Sequence, residues 1–316
     1  MDAVKSRARG CMLGQLCGDA LGAQVEFKSA AEIRRRFPEG VTVMAASPVW
    51  NTLPGQITDD SEMALALTRA LDGKGMYDGH LVHEAYVAWL NSHPFDCGNT
   101  IYGSLMGHPN PKSQANGALM RVSPLGIWGA RKSRQALLDA AAKDAALTHV
   151  HPVCQQANQI FAALIAEAIA TQKTGAELYA GLCQHPEKYS SGPLLPEIEA
   201  VIEKAASEKP VLDKENKGWV LLAFQNALYQ MLHARSFMDA VVDSVMGGGD
   251  TDTNAAICGA LMGAVCGEEA IPVQWKETVL GCTPDKAHGA EHPRPKCYWP
   301  ADALELAERL LKGPEA

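Results

Sequence analysis

The chain has 316 residues, 47% of them hydrophobic, and a formal net charge of -8. That length buries a substantial core, and the acidic balance argues against a basic surface for nucleic acid or anionic lipid, which calls for clustered Lys and Arg. Nine cysteines without a C-x-x-C pair fit reduced thiols in a cytoplasm better than a disulfide framework.

In chain order, Lys5, Arg7 and Arg9 precede a short apolar stretch that Gln15 and Asp19 interrupt, so the segment reads as a first helix and makes a poor signal peptide. Gly10, Gly14, Gly18 and Gly22 recur at every fourth position, and Gly259, Gly263 and Gly267 repeat the pattern near the other end. A glycine inside a helix costs about 0.8–1.0 kcal/mol relative to alanine, so the repetition needs a reason. Residues four apart share one helical face, and each stripe predicts a neighbouring helix at unusually close approach. A loop or frayed helix is the alternative.

Val41-Thr42-Val43-Met44 is the one stretch with strand character, and a lone four-residue strand has nothing to pair with. Met63, Leu65, Leu67 and Leu71, then Ile160, Leu164, Ile165 and Ile169, follow helical spacing. Breaks marked by Pro, Gly or Asn fall at 37–40, 48–54, 91–116, 184–196 and 284–300, none with the composition of a flexible linker. The expected fold is all-α, a single compact domain over 1–316 with about ten or more helices. The longest uncharged apolar segment, 253–267, is shorter than the roughly 20 residues a bilayer needs, so no membrane segment is expected.

Two acidic motifs each open a helical run: Gln56-Ile57-Thr58-Asp59-Asp60-Ser61-Glu62 and Gly247-Gly248-Gly249-Asp250-Thr251-Asp252-Thr253-Asn254. Each alone is an ordinary helix start, with a capping Thr or Asp and acids favoured by the macrodipole. Together they place hard oxygen ligands at two helix N-termini that can face one another across a cleft. Carboxylates and hydroxyls without His or Cys suit Mg2+ or Mn2+ rather than zinc. Four crowded carboxylates repel unless cations neutralise them, which points to two ions, about 3.5–4 Å apart in sites of that kind. The offsets of an EF-hand and the H-E-x-x-H pattern are absent, and the scattered histidines, His80 and His83 included, read as packed or surface residues.

These residues resemble the ADP-ribosylglycohydrolases. The resemblance covers nearly the whole chain, through Gly18 to Phe27, Thr58-Asp59-Asp60-Ser61, Asn116-Gly117-Ala118-Leu119-Met120-Arg121, Thr148-His149-Val150-His151-Pro152, Gly218-Trp219-Val220 and 248–256, with Ile271-Pro272 and Trp275 behind. It implies an all-α fold with a two-metal cleft holding two divalent ions, Mg2+ or Mn2+. Ligand roles carry onto Thr58, Asp59, Asp60, Asp250, Asp252 and Thr253, and a glutamate near the metals matches Glu26. Asp96-Cys97-Gly98-Asn99-Thr100 resembles the loop that sets an aspartate beside the scissile bond in arginine-specific members; by themselves these residues would be turn chemistry. Substrate contacts are implied at Gly98, Asn99, Ser113, Asn116, Gly117, His149, Gly248 and Gly249, with glycine backbone and helix N-termini cradling a diphosphate. Ser61 stands where a threonine often follows the acids, and the loop 107–112 matches no family pattern.

The implied reaction is metal-dependent hydrolysis of the N-glycosidic bond between ADP-ribose and protein arginine, with Glu26 or Asp96 handling the proton. The alternatives are hydrolysis of an O-linked, serine-type ADP-ribose and an immunity protein that binds an ADP-ribosylating toxin. The expected partners are ADP-ribosylated protein and ADP-ribose, with no nucleic acid and no membrane, and the chain is expected to act as a cytoplasmic monomer.

Overall fold

Two glycine-striped helices lie against each other almost without side chains between them. In the computed structural model, which describes residues 2–312, fifteen α-helices follow in order: α1 (Ala3–Gly22), α2 (Ala30–Arg36), α3 (Asp59–Leu71), α4 (Gly79–Asn91), α5 (Asn99–Leu105), α6 (Ser123–Gly129), α7 (Arg134–Ala146), α8 (Pro152–Thr171), α9 (Gly175–Gln184), α10 (Pro196–Ala205), α11 (Val220–His233), α12 (Phe237–Met246), α13 (Thr251–Cys266), α14 (Val273–Leu280) and α15 (Ala303–Lys312). Local signals set many starts. Ser29 with Glu32, and Thr174 with Glu177, form capping boxes, while Pro152 and Pro196 occupy first helical positions.

The stripes predicted from sequence face each other. A methyl group on Gly10, Gly14, Gly18 or Gly22 would collide with the backbone of Gly263, Gly259, Ala255 or Thr251 respectively, all closer than 3.0 Å. This falling order makes α1 and α13 antiparallel. The seam sets the end of α1 at the start of α13, where the Thr251 hydroxyl donates to the Gly22 carbonyl at 2.7 Å. Gly267 ends the second stripe as the C-cap of α13, with φ +84° and its own close contact to Ser6. Around the pair, α8, α11, α12 and α15 bury their apolar faces in one hydrophobic cluster that includes Leu13, Leu16, Phe161, Ile165, Phe224, Leu261 and Leu310.

Among the described residues no strand forms, only isolated bridges at Ser29 with Gly248 and Ala115 with Trp219. The strand-like residues 41–44 are tied to α14 instead. Gln274 exchanges two hydrogen bonds with the Met44 backbone, and Trp275 Nε1 donates to the Thr42 carbonyl at 2.7 Å. The break read over 91–116 holds a short helix, α5, which burial of Ile101 and the Thr100–Ser113 hydroxyl contact (2.8 Å) stabilise where sequence signals are those of a turn. No helix among the described residues is long and apolar enough to cross a membrane.

A buried ion pair locks the late segment 284–300 onto this frame. Arg294 donates from Nε and Nη2 to the two Glu62 oxygens, each at 2.8 Å, and from Nη1 to the Ser92 carbonyl at 2.8 Å. Trp89 Nε1 donates to the same glutamate at 2.9 Å. The clasp joins α3 to the end of α4, three residues before Phe95.

Two stability outcomes follow from these contacts. Gly14→Ala gains up to about 1 kcal/mol of helix propensity but forces backbone apart along the seam, and is expected to lower stability by a net of about 1–3 kcal/mol in chemical denaturation; an unchanged midpoint would contradict the packing. Arg294→Met strands a buried carboxylate and should cost about 3–5 kcal/mol, most of it recovered when Glu62→Leu is added. A double variant no more stable than the single would refute the pairing.

Candidate functional site

Six pieces of chain close around a cleft of about 560 Å3: the turn after α1 (Glu26, Phe27), the start of α3 (Asp59), the loop into α5 (Asp96 to Ile101), the segment 115–117, His149, and the start of α13 (Asp250, Asp252, Thr253). The glycine seam brings the first and last together. Phe27 N donates to the Gly249 carbonyl at 2.8 Å and Gly249 N to the Lys28 carbonyl at 2.9 Å, so Glu26 sits beside Asp250 to Asp252 although more than 220 residues separate them.

The start of α3 is held by a carboxylate from α1. Asp19, fully buried, accepts from Thr58 N (3.1 Å), Thr58 Oγ1 (2.9 Å) and Ser61 N (3.1 Å), satisfying orphan donors that the helix's own N-cap leaves open. Gln15, one turn earlier, donates to the Asp60 carbonyl at 3.2 Å and the Met120 carbonyl at 2.9 Å. The segment 116–117 is fixed from behind by buried Arg121, whose Nη1 donates to the Gly117 carbonyl at 2.9 Å and whose Nε pairs with Asp144 at 3.3 Å.

One carboxylate oxygen each of Glu26, Asp96 and Asp252 lie within 4.8 Å of one another. Around them, Asp60 Oδ2 accepts from Thr58 Oγ1 at 3.1 Å and Thr253 Oγ1 at 3.3 Å, and Asn116 Nδ2 donates to Asp250 Oδ2 at 2.7 Å. Trp50 Nε1 donates to Glu26, and Cys97 N to Asp96 at 2.8 Å. Burial pushes every one of these acids upward: Glu26 to about 8 and Asp19 to about 7, with Asp59, Asp60 and Asp252 well above the usual carboxylate range because neighbouring carboxylates add to the burial. Asp96 and Asp250 are raised as well, chiefly by burial.

These donors fit a hard divalent cation. The cluster consists of buried oxygen ligands, and Asp60 Oδ1 is buried without any hydrogen-bond partner. Cys97 also lines the cleft, and burial pushes its thiol up to about 12.

Of the positions implied by resemblance, Gly98, Asn99, Asn116, Gly117 and His149 line the cleft with Glu26, Asp59, Asp96, Asp250, Asp252 and Thr253. Thr58 and Asp60 sit behind this wall. Ser113, Gly248 and Gly249 do not line it either. The Ser113 hydroxyl contacts Thr100 and so supports the Asp96 loop. Gly248 and Gly249 adopt φ of +73° and +80°, and their N–H groups are taken by the Val245 and Lys28 carbonyls, leaving neither free to cradle a phosphate. His149 presents a buried Nε2 with no partner, while Nδ1 shares a hydrogen with Thr148 Oγ1 at 2.8 Å. Burial, then the charge of Arg121, pushes its pKa down to about 3, so the ring is neutral. Sequence reasoning gave no role to Asp19, Trp50 or Arg121. A carboxylate inside a stripe of small and apolar residues was the available signal for Asp19; Trp50 carried none.

The ADP-ribosylglycohydrolase family model matches residues 1–315. The chain is 31% identical over 285 residues to the ADP-ribosyl-[dinitrogen reductase] glycohydrolase of Rhodospirillum rubrum, covering 86% of this chain and 90% of the relative. It is 27% identical over 290 residues to the ADP-ribosylarginine hydrolase Tri1 of Pseudomonas putida, covering 86% and 74%. Among solved structures, an ADP-ribosylglycohydrolase-related protein complex matches with a TM-score of 0.78 at 26% identity, over 100% of both chains. With its helices, its acidic cleft and its full length thus accounted for, the chain belongs to the ADP-ribosylglycohydrolase family.

Proposed function

We propose that this hydrolase cleaves the N-glycosidic bond between ADP-ribose and the arginine of a modified protein. The observation that carries the reading is the convergence of Glu26, Asp96 and Asp252 in the cleft, because glycosidic cleavage needs paired carboxyl groups at the reacting carbon and positive charge to offset them. The arginine linkage is supported by the Asp96 loop at that point and by the relative named an ADP-ribosylarginine hydrolase. Nine free cysteines favour a reducing, cytoplasmic setting, and the chain is taken to act there as a monomer.

Thr58, Asp59, Asp60, Asp250, Asp252 and Thr253 would hold two divalent ions, Mg2+ or Mn2+. When bound, such ions supply Lewis acidity toward ribose hydroxyls and water and neutralise the carboxylates. Glu26 donates a proton to the guanidinium nitrogen as the bond from that nitrogen to the anomeric carbon breaks. Asp96 accepts the proton of the water whose oxygen bonds to the same carbon. One water is consumed, and ADP-ribose and arginine leave. His149, neutral and with Nε2 unpaired, serves as a hydrogen-bonding group for the bound nucleotide, and Asn116 orients Asp250.

Release of ADP-ribose from arginine-modified protein should depend on Mg2+ or Mn2+ and be abolished by chelator and by Asp250→Ala; equal rates in all three conditions would reject the metal role. Asp96→Asn is expected to lower turnover by about 10²–10⁴-fold while ADP-ribose binding persists, and lost binding would make Asp96 a positioning residue instead. A serine-linked substrate turned over in place of the arginine-linked one would reverse the linkage assignment.

The raised acids also set a pH dependence for the metal-free protein. Glu26 and Asp19 bind protons more tightly folded, at about 8 and about 7, than unfolded, at about 4. Their contribution is therefore fully present below about pH 4 and lost as pH rises through 7 to 8. Thermal midpoints in chelator should fall between pH 5.5 and 8, and added Mg2+ should raise the midpoint more at pH 8 than at pH 5.5. A midpoint that climbs with pH in chelator would count against the buried acidic cluster.

A further inference from the structure

A row of aromatic rings outside the core leads from the cleft, which Phe27 lines, past Trp50, which reaches the cleft acid Glu26, to Phe95 beside Asp96. Phe27 meets Trp50 edge-on at 6.0 Å between ring centres, Trp50 meets Phe95 at 5.8 Å, and Phe95 stacks on His292 at 5.0 Å. The row is interleaved with the two acids assigned to proton transfer. Phe27 follows Glu26 in sequence, Trp50 donates to Glu26, and Phe95 precedes Asp96. Phe27 is 53% exposed and adopts φ +64°, a left-handed conformation that a bulky side chain rarely takes, held by its hydrogen bond to Gly249. The fold therefore imposes the outward aim of this ring.

The row already accepts a cation at one end. The Lys217 ammonium lies 5.0 Å from the centre of the Phe27 ring. Among the described residues no cation is recorded over Trp50 or Phe95. A guanidinium is planar, permanently charged and weakly hydrated, so it stacks on aromatic faces and pairs with carboxylates at its edge. Aromatic faces with carboxyl groups at their inner border supply both contacts at once. A hydroxyl-linked amino acid such as serine has no group that could use the faces.

We propose that the Trp50–Phe95 row is the subsite for the arginine side chain of the modified protein, stacking its guanidinium so that the glycosylated nitrogen faces Glu26 and Asp96. This rests on the arginine-linkage reading above and adds to it a means of selecting that linkage. It makes Phe95 a specificity-determining residue, with His292 stacked behind it as a backing ring.

The test compares wild type, Phe95→Leu and Phe95→Tyr as metal-loaded full chains on a peptide ADP-ribosylated at arginine, with ADP-ribose binding followed by calorimetry. Phe95→Leu should raise KM for the arginine-linked peptide by about 3–30-fold, the span of a partly desolvated cation–π contact, with kcat and ADP-ribose affinity little changed. Phe95→Tyr, which keeps the ring, should restore KM. An unchanged KM in Phe95→Leu, or a loss of ADP-ribose affinity that matches its rise, overturns the subsite while leaving the linkage assignment standing. A wild-type enzyme inactive on the arginine-linked peptide overturns the linkage assignment and the subsite with it.

Discussion

Backbone-to-backbone contact between α1 and α13 is the constraint on which the acidic cleft depends. Four positions on α1 lack a Cβ, and the backbone of α13 fills the space that methyl groups would need. Such contact tolerates no sliding, since a shift along the seam would bring Cβ atoms of neighbouring residues into backbone oxygens. Register is thereby fixed to within a residue. Asp19 is carried to the start of α3, and Glu26 to Asp250 to Asp252, by the same rigid pair. Glycine's propensity cost, about 0.8–1.0 kcal/mol per position, is offset by the dispersion and Thr251–Gly22 hydrogen bonding that close approach permits.

What the seam assembles is electrostatically unfavourable by itself. Seven carboxyl groups, Asp19, Glu26, Asp59, Asp60, Asp96, Asp250 and Asp252, are drawn together where burial limits their solvation, and all are pushed toward the protonated form. Three other buried acids among the described residues are paired with cations, Glu268 with Arg9 and Lys276 near the surface and two more deeply. Glu62 and Asp144 each face an arginine, Arg294 and Arg121, with hydrogen bonds completing the pair. The contrast separates structural acids, neutralised from within, from acids left available to an external cation. It also shows where stability and function pull against each other: the clasps hold the Asp96 loop and the 116–117 segment so that the uncompensated cluster can persist between them.

The legible part of this architecture was the part encoded by short spacing. Helical period, glycine at every fourth residue, and acids at the first turn of two helices could all be read locally, and they gave the all-α fold, the close-packed stripes and the two acidic helix starts. The contacts that were not legible join residues far apart. Asp19 caps a helix that begins 40 residues later, and Arg294 clasps a glutamate 232 residues away. No period or spacing records such pairs. Gly248 and Gly249 were ambiguous for a different reason. Glycine before an acidic helix start is compatible both with a ligand-cradling nest and with a turn whose N–H groups are spent on neighbouring backbone, and only the φ angles and partners distinguish the two. The helix α5 was hidden because its stability comes from burying Ile101, not from the sequence of its own turn.

The seam also fixes an order of events during synthesis. The helix α1 finds its main packing partner only when residues 251–266 emerge, so a 20-residue element rich in buried side chains waits while more than 220 further residues are added. At about 5–20 residues per second that interval lasts on the order of ten seconds to a minute. Throughout it the small-residue face of α1 is without its partner backbone. Emergence of residues 251–266 is then what brings the first and last walls of the cleft together.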